Sequence, residues 1–181
     1  MISPIRRGDL AVAVLLGTSL AVADMSVDAA MRWALPNTDS MVEEKFQVSA
    51  DDAARLSAFA EVNIRPGEIA FRRGARGTNV TGYALMVDER GRDDSIRFIV
   101  AFEPDGRIRD IEVVEYRGHH GNGICDREFL DQFRRRDDPL QLDIGAGIDA
   151  VSGATISSRA ATRAARRALV LFRHTHPEPA Q

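Results

Sequence analysis

A threonine hydroxyl among small residues is the group in this sequence best placed for chemistry. Gly153 and Ala154 have little side chain, so another molecule could approach the hydroxyl of Thr155 closely. An alanine-rich helical pattern begins near Ser157, and the free N–H groups of a helix N-terminus bind anions. The segment is suited to hold a phosphate esterified to Thr155, and it reads Asp149-Ala150-Val151-Ser152-Gly153-Ala154-Thr155-Ile156-Ser157-Ser158.

The same spacing supports a purely structural interpretation. Ser152, Thr155 and Ser157 are residue types that cap helix N-termini, and each stands near the start of the predicted helix. Spacing alone favours this capping role. The residues by themselves therefore permit a phosphate site without identifying it.

The run Asp149-x-x-Ser152-Gly153-Ala154-Thr155 resembles the flavinylation motif of the FMN-binding domain family. That family includes the FMN-carrying subunits of the Rnf complex and of the sodium-pumping NADH:quinone reductase. The resemblance implies covalent FMN on Thr155, attached by an ApbE-type, magnesium-dependent flavin transferase that takes FMN from FAD and releases AMP. It also implies that Asp149, Ser152, Gly153 and Ala154 help the transferase recognise its substrate. Ile156 and Ser157, at the start of the helix, are further cofactor-binding candidates.

The resemblance covers roughly residues 82–172, in the order of the stand-alone family members, and departs from the family at one place. Where the family usually has Glu-Thr before its glycines, this chain has Gly118-His119, followed by His120, Gly121, Asn122 and Gly123. His119 or His120 could hydrogen-bond the isoalloxazine ring or assist proton uptake, because imidazole titrates near neutral pH. Two solvated loop histidines are the equally weighted alternative.

The N-terminus has the pattern of an export signal. Arg6 and Arg7 precede an apolar run over residues 10–23, which ends in Ala21-Val22-Ala23. As a helix the run would cover about 21 Å, short of the roughly 30 Å hydrocarbon core, so cleavage is favoured over a stable membrane span. We expect residues 1–23 to be a signal peptide or membrane anchor and the protein to be periplasmic or extracytoplasmic. A buried helix of a cytosolic protein is the alternative.

The rest of the chain predicts an α+β fold, a small antiparallel sheet with packed helices, as a single domain after the signal or anchor. Residues 24–60 are interpreted as a helical lead-in, 61–175 as the FMN-binding domain and 176–181 as a tail. Alternation predicts strands, and Asp105-Gly106 between two β-rich runs predicts a hairpin. A helix is predicted from Asp126 to about Arg135, and the last helix is expected to bury its alanines and expose its arginines, with Arg159 and Arg163 near any bound phosphate.

Charge and cysteine content exclude several classes. The net charge is −3, with 24 basic and 27 acidic residues among 181, so no nucleic-acid partner is expected. The single cysteine, Cys125, fits no zinc or haem spacing, and a small buried side chain is its expected role.

These features predict an electron-transfer flavoprotein that relays electrons between membrane or periplasmic redox partners. A flavin-bearing redox sensory or regulatory module is the main alternative. A hydrolase using Ser152 with His119 or His120 is weakly supported, because no Gly-x-Ser-x-Gly elbow is present. A domain of this fold that has lost its flavin is the remaining possibility.

Overall fold

The structure, a computed structural model, describes residues 23–118 and 121–177. The strands are β1 (Ala23–Asp24), β2 (Ser40–Val48), β3 (Gly67–Arg76), β4 (Asn79–Arg90), β5 (Ser95–Phe102) and β6 (Ile108–Tyr116). The helices are α1 (Val27–Ala34), α2 (Ala50–Ala60), α3 (Arg127–Leu130) and α4 (Thr155–Thr175). Short 3-10 turns occupy Asn122–Cys125, Asp131–Phe133 and Pro139–Gln141. Residues 1–22 of the predicted signal or anchor, both loop histidines and the end of the tail lie outside the described residues.

The strands form one antiparallel sheet in the order β1-β6-β5-β4-β3-β2. The predicted hairpin joins β5 to β6, and Gly106 takes a φ of +85° in its turn, a value that favours glycine. The fold-class prediction, α+β with a small antiparallel sheet, is confirmed.

Helices cover both faces of the sheet. α4 packs on β4 and β5, where the rings of Phe102 and Phe172 stack at 4.7 Å. α1 covers the other face, against Ala84, Ile99 and Ala101. Because β5 is buried on both faces, its sequence is a nearly continuous apolar run. The site-bearing helix is thus fixed to the centre of the sheet.

The helical interpretation of residues 24–60 is wrong for residues 40–48, which form β2. This strand pairs with β3 along its whole length and belongs to the same sheet. It lies at the sheet edge and exposes most of its side chains, so the apolar alternation that marks a strand is missing. α1 and α2 agree with the helical interpretation, and Ser49 caps α2 by accepting a hydrogen bond from the Asp52 N–H at 3.1 Å.

The later helices differ from the prediction in detail. Between residues 126 and 135 there is only the single turn of α3 and a 3-10 turn, although Phe129, Leu130 and Phe133 are buried as expected. In α4 the alanine face is buried as predicted, but the expectation that Arg166 is solvated is wrong. Its side chain is only 7% exposed, near Glu61 (3.7 Å) and Asp143 (3.6 Å), because neighbouring loops cover the helix flank.

Cys125 is half-buried, and burial raises the pKa of its thiol to about 11, with Glu112 and Asp126 adding to the effect. The thiolate, which is the reactive form, is therefore scarce at pH 8. We expect alkylation by iodoacetamide at pH 8 to be about 100-fold slower in the folded protein than in the urea-unfolded chain, following the pKa difference. Intact mass against time measures both rates on the one thiol, and equal rates would contradict the expectation.

Candidate cofactor site

The helix that carries the motif begins at Thr155 itself, two residues before the predicted start. Its N-cap is Ala154, and no side chain forms a capping hydrogen bond there. The capping interpretation of Ser152, Thr155 and Ser157 is therefore wrong. A helix of 21 residues thus starts with uncapped N–H groups directly beside an exposed threonine.

A tight turn precedes the helix and presents the motif. The Ala154 N–H donates to the Val151 carbonyl at 3.0 Å, which places Ser152 and Gly153 at an exposed tip. Gly153 takes a φ of +75°, and a Cβ there would meet no atom within 4 Å. Backbone conformation, and not lack of space, is therefore the reason for glycine at this position.

Ser158 joins the turn to the first turn of α4. Its Oγ accepts from the Val151 N–H at 3.1 Å and donates to the Ala154 carbonyl at 3.0 Å, and the residue is fully buried. The sequence pattern indicates this serine only as part of the helix start. The Ser158 hydroxyl thus forms hydrogen bonds with backbone groups at both ends of the turn, Val151 and Ala154. No local spacing rule predicts the contact with Val151, which is seven residues away.

Gln132 holds the first residue of the motif from another segment. Its Oε1 accepts from the Asp149 N–H at 2.7 Å, and its Nε2 donates to the Asp149 carbonyl at 3.3 Å. The two hydrogen bonds leave the Asp149 carboxylate exposed. The apolar spacing of the Phe129–Phe133 run predicts a helix but gives this glutamine no role.

The described residues of the glycine loop pack against the motif. Gly121 has a φ of +90°, and a Cβ on it would lie 2.6 Å from Ser157 Oγ. A Cβ on Gly123 would lie 2.6 Å from a methyl carbon of Val151. Ser157 is buried, with its Oγ 3.4 Å from the Tyr116 hydroxyl. The loop therefore lies against both the turn and the start of α4.

The structure brings together every motif residue that it describes. Ala154 and Ser157 point inward, whereas the exposed members of the site are Asp149, Ser152, Gly153, Thr155 and Ile156. Ile156 is 49% exposed and stands next to Thr155 in the chain. The positions of His119 and His120 lie between the described residues Gly118 and Gly121.

Two arginines lie on the same helix face as Thr155, because residues four apart are neighbours on a helix. Arg163 is already bound: its Nε donates to Glu89 at 3.2 Å and its Nη2 to the Arg90 carbonyl at 2.8 Å. Arg159 is exposed, and its guanidinium has no hydrogen bond or ion pair within the described part of the chain. Of the two arginines expected near a phosphate, Arg159 is the one with its guanidinium available.

A cleft of about 450 Å³ lies directly beside the motif. Its walls combine apolar and acidic side chains and are formed by Gly123, Asp126, Glu128, Phe129, Gln132, Asp149, Ala150 and Val151. The exposed hydroxyl, the uncapped helix start, the available guanidinium and the adjacent cleft together fit a nucleotide-like group attached through a phosphate.

The region around the site is similar in sequence to a flavin-binding family. Residues 91–170 match the sequence model of the FMN-binding domain family, a region that includes the glycine loop, Gln132 and the whole motif. The match confirms the family resemblance of the motif. Residues 91–170 of this chain are therefore similar in sequence to the FMN-binding domain family.

Two relatives illustrate the similarity. The chain is 26% identical over 133 residues to a subunit of the proton-translocating ferredoxin:NAD(+) oxidoreductase complex of Clostridium ljungdahlii, covering 70% of this chain and 69% of the relative. It also resembles the crystal structure of NqrC from Shewanella oneidensis, with a TM-score of 0.46 and 20% identity over 79% of this chain and 70% of that one.

Proposed function

We propose that this protein is an exported electron carrier whose FMN is held covalently, by a phosphoester to Thr155. The observation that carries the proposal is the exposed Thr155 at the first position of an uncapped helix of 21 residues. The aligned peptide dipoles give such a start a partial positive charge, and its free N–H groups can donate hydrogen bonds to an anion without rearrangement. A hydroxyl elsewhere on the surface would have no such support for the phosphate.

The residues around Thr155 have distinct proposed roles. The backbone N–H groups of the first turn of α4 and the Arg159 guanidinium hold the phosphate charge. The apolar Ile156 side chain and the cleft lined by Phe129 and Val151 shelter the apolar part of the cofactor. FMN supplies the redox chemistry, and the protein supplies attachment, orientation and electrostatics. His119 and His120 stay candidates for a hydrogen bond to the ring or for proton uptake.

An ApbE-type flavin transferase is the proposed modifying partner. Asp149, Ser152 and Gly153 are exposed around one turn, so an enzyme can reach them together with the acceptor hydroxyl. Gln132 holds Asp149 by backbone atoms alone, which leaves the carboxylate available for recognition. The geometry supports, at each of these positions, the recognition role that the family motif implies.

Electron relay at the outer face of the cytoplasmic membrane is the role best supported. The Clostridium ljungdahlii relative is named as a subunit of a proton-translocating oxidoreductase complex, which favours a redox partner at a membrane. The N-terminal pattern of residues 1–23 favours export. Within the described residues, no helix has the length and apolar character needed to cross a membrane.

The proposal is tested by producing the full chain with and without an ApbE-type transferase and FAD. We expect intact mass to increase by FMN less one water only when the transferase is present, and the yellow colour to survive denaturation. Reduction by dithionite followed by rapid reoxidation by a soluble acceptor indicates relay. A partner that binds only one redox state would instead favour the sensory alternative. A colourless protein under all conditions would contradict the proposal.

Arg159 provides a quantitative prediction for the phosphate site. A phosphate at a helix start is stabilised by roughly 0.3–1 kcal/mol, so flavin attachment should raise the free energy of unfolding by about that amount. We expect Arg159→Gln to reduce this increment, because one cation near the phosphate is lost, and 1 M salt to reduce it in the wild type. Urea unfolding of the flavinylated and unmodified forms measures the increment.

The matched control is Arg32→Gln, which removes another exposed arginine, from α1 on the opposite face of the sheet. It should leave the increment unchanged. An increment that is equal in wild type and Arg159→Gln would remove Arg159 from the proposed phosphate site.

A further inference from the structure

The two edges of the sheet differ in their backbone hydrogen-bond partners. Along the outer side of β6, other segments supply backbone partners: Met25 donates to Val114 at 2.8 Å, and Ile108 donates to Arg136 at 2.9 Å. At the opposite end of the strand order lies β2, and no strand among the described residues pairs with its outer side. An open edge of nine residues exposes unpaired backbone groups and is a ready template for another strand.

The side chains of β2 are also exposed. Val42 is 46% exposed and Met41 is 39% exposed, on an edge whose centre is the charged run Glu43-Glu44-Lys45. Charged residues often protect an edge strand from pairing, but exposed apolar residues beside them do not serve that purpose. The order of the residues along β2 decides whether its charges protect the edge from another strand or favour pairing with one.

We propose that β2 pairs in antiparallel fashion with β2 of a second copy of this chain. The two copies are related by a two-fold axis that is perpendicular to the sheet and lies midway between the two Glu44 residues. In this register Glu43 lies opposite the partner's Lys45, and symmetry repeats the pair. Val42 lies opposite the partner's Phe46, again twice. Opposite charges and aromatic–β-branched pairs directly across an antiparallel pair are both stabilising.

Neighbouring registers are less favourable. Residues directly opposite each other in an antiparallel pair lie on the same face of the sheet. In a symmetric pair of identical strands, one residue must therefore lie opposite its own copy, and the axis lies midway between these two copies. An axis through Glu43 sets that carboxylate against its own copy and Val42 against Glu44. An axis through Lys45 sets two ammonium groups together and Phe46 against Glu44. Both lose the Glu–Lys pairs.

The proposed register also places Glu44 opposite its own copy. This carboxylate already has a cationic neighbour within its own chain, because Arg73 Nε donates to it at 2.5 Å, and His176 Nε2 lies 3.3 Å from it. Charge at the centre of the interface is therefore compensated before the second copy arrives. The sequence of β2 is self-complementary about Glu44: Glu43 matches Lys45, and Val42 matches Phe46. This feature points to a second copy of the chain and not to an unrelated strand.

The test is sedimentation velocity of the full chain over a concentration series. We expect a monomer–dimer equilibrium in the wild type. Glu43→Lys or Lys45→Glu places like charges opposite each other at two symmetric positions. Each cross-strand pair contributes roughly 0.2–1 kcal/mol, and each changes from attraction to repulsion, so the dimer dissociation constant should rise about tenfold or more. The double variant Glu43→Lys/Lys45→Glu restores opposite charges, and its dissociation constant should return to within about threefold of the wild-type value.

Arg92→Glu is the matched control, because it changes the net charge as Lys45→Glu does but lies in the loop between β4 and β5. It should leave the association unchanged. Thermal unfolding of each variant verifies the fold, since Glu43 and Lys45 also contact Arg72 and Glu68. A wild type that is monomeric at every concentration would show that the charges protect the edge and would overturn the proposal. Association that survives the single reversals, or a double variant that stays dissociated, would overturn it as well.

Discussion

Thr155→Val is expected to abolish covalent flavin completely. Valine keeps the branched shape of threonine and lacks only the hydroxyl, so the proposed phosphoester cannot form. The side chain is exposed at the first position of α4, and the fold should therefore change by no more than about 0.5 kcal/mol. Intact mass and in-gel fluorescence after production with the transferase should show full modification of the wild type and none of the variant.

A matched control separates loss of the acceptor from loss of recognition. Thr155→Val/Ile156→Thr moves an exposed hydroxyl one residue along the helix and keeps the rest of the motif. We expect it to stay unmodified, because the side chain at position 156 leaves the helix about 100° away from position 155. Covalent flavin on Thr155→Val would show that another residue is the acceptor and would refute the assignment.

Phe102→Ala is expected to produce the largest loss of stability. Phe102 is fully buried, stacks on Phe172 at 4.7 Å and lies near Phe71 at 6.3 Å, at the place where β5 supports α4. Removing its ring leaves a cavity and ends the aromatic contacts, which should lower the free energy of unfolding by about 3–5 kcal/mol. Urea unfolding followed by circular dichroism measures this difference.

Phe59→Ala is the control of the same residue type. Phe59 lies near the end of α2 and is 52% exposed, so its truncation should cost no more than about 0.5 kcal/mol. Equal losses for the two variants would mean that the packing of α4 on β5 does not dominate the stability of this fold.

Local signals were sufficient for the elements with strong patterns. The Asp105-Gly106 turn and the alanine spacing of α4 are both properties of neighbouring residues, and both were predicted correctly. β2 was missed because an edge strand buries too few side chains to alternate in sequence. Arg166 was misplaced because its burial depends on Glu61 and Asp143, which are distant in sequence.

The candidate site likewise has features that depend on neighbouring residues and features that depend on residues distant in sequence. The motif is contiguous, so its residues could be found from the sequence together with the family resemblance. The contacts that shape it could not: Gln132 reaches Asp149 across 17 residues, and Ser158 closes the turn behind the acceptor. Their roles depend on how distant segments pack, which composition and periodicity do not encode.

The proposed attachment point is the first residue of the most deeply packed helix. α4 is held against β4 and β5 along its length, so the root of the tether moves only as the whole domain moves. If the flavin is attached at Thr155 as proposed, the cofactor would not move far relative to the domain. Under the proposed function, the electron donor and the electron acceptor would then have to bind at the same surface around Ile156, either one after the other or after the whole molecule has rotated.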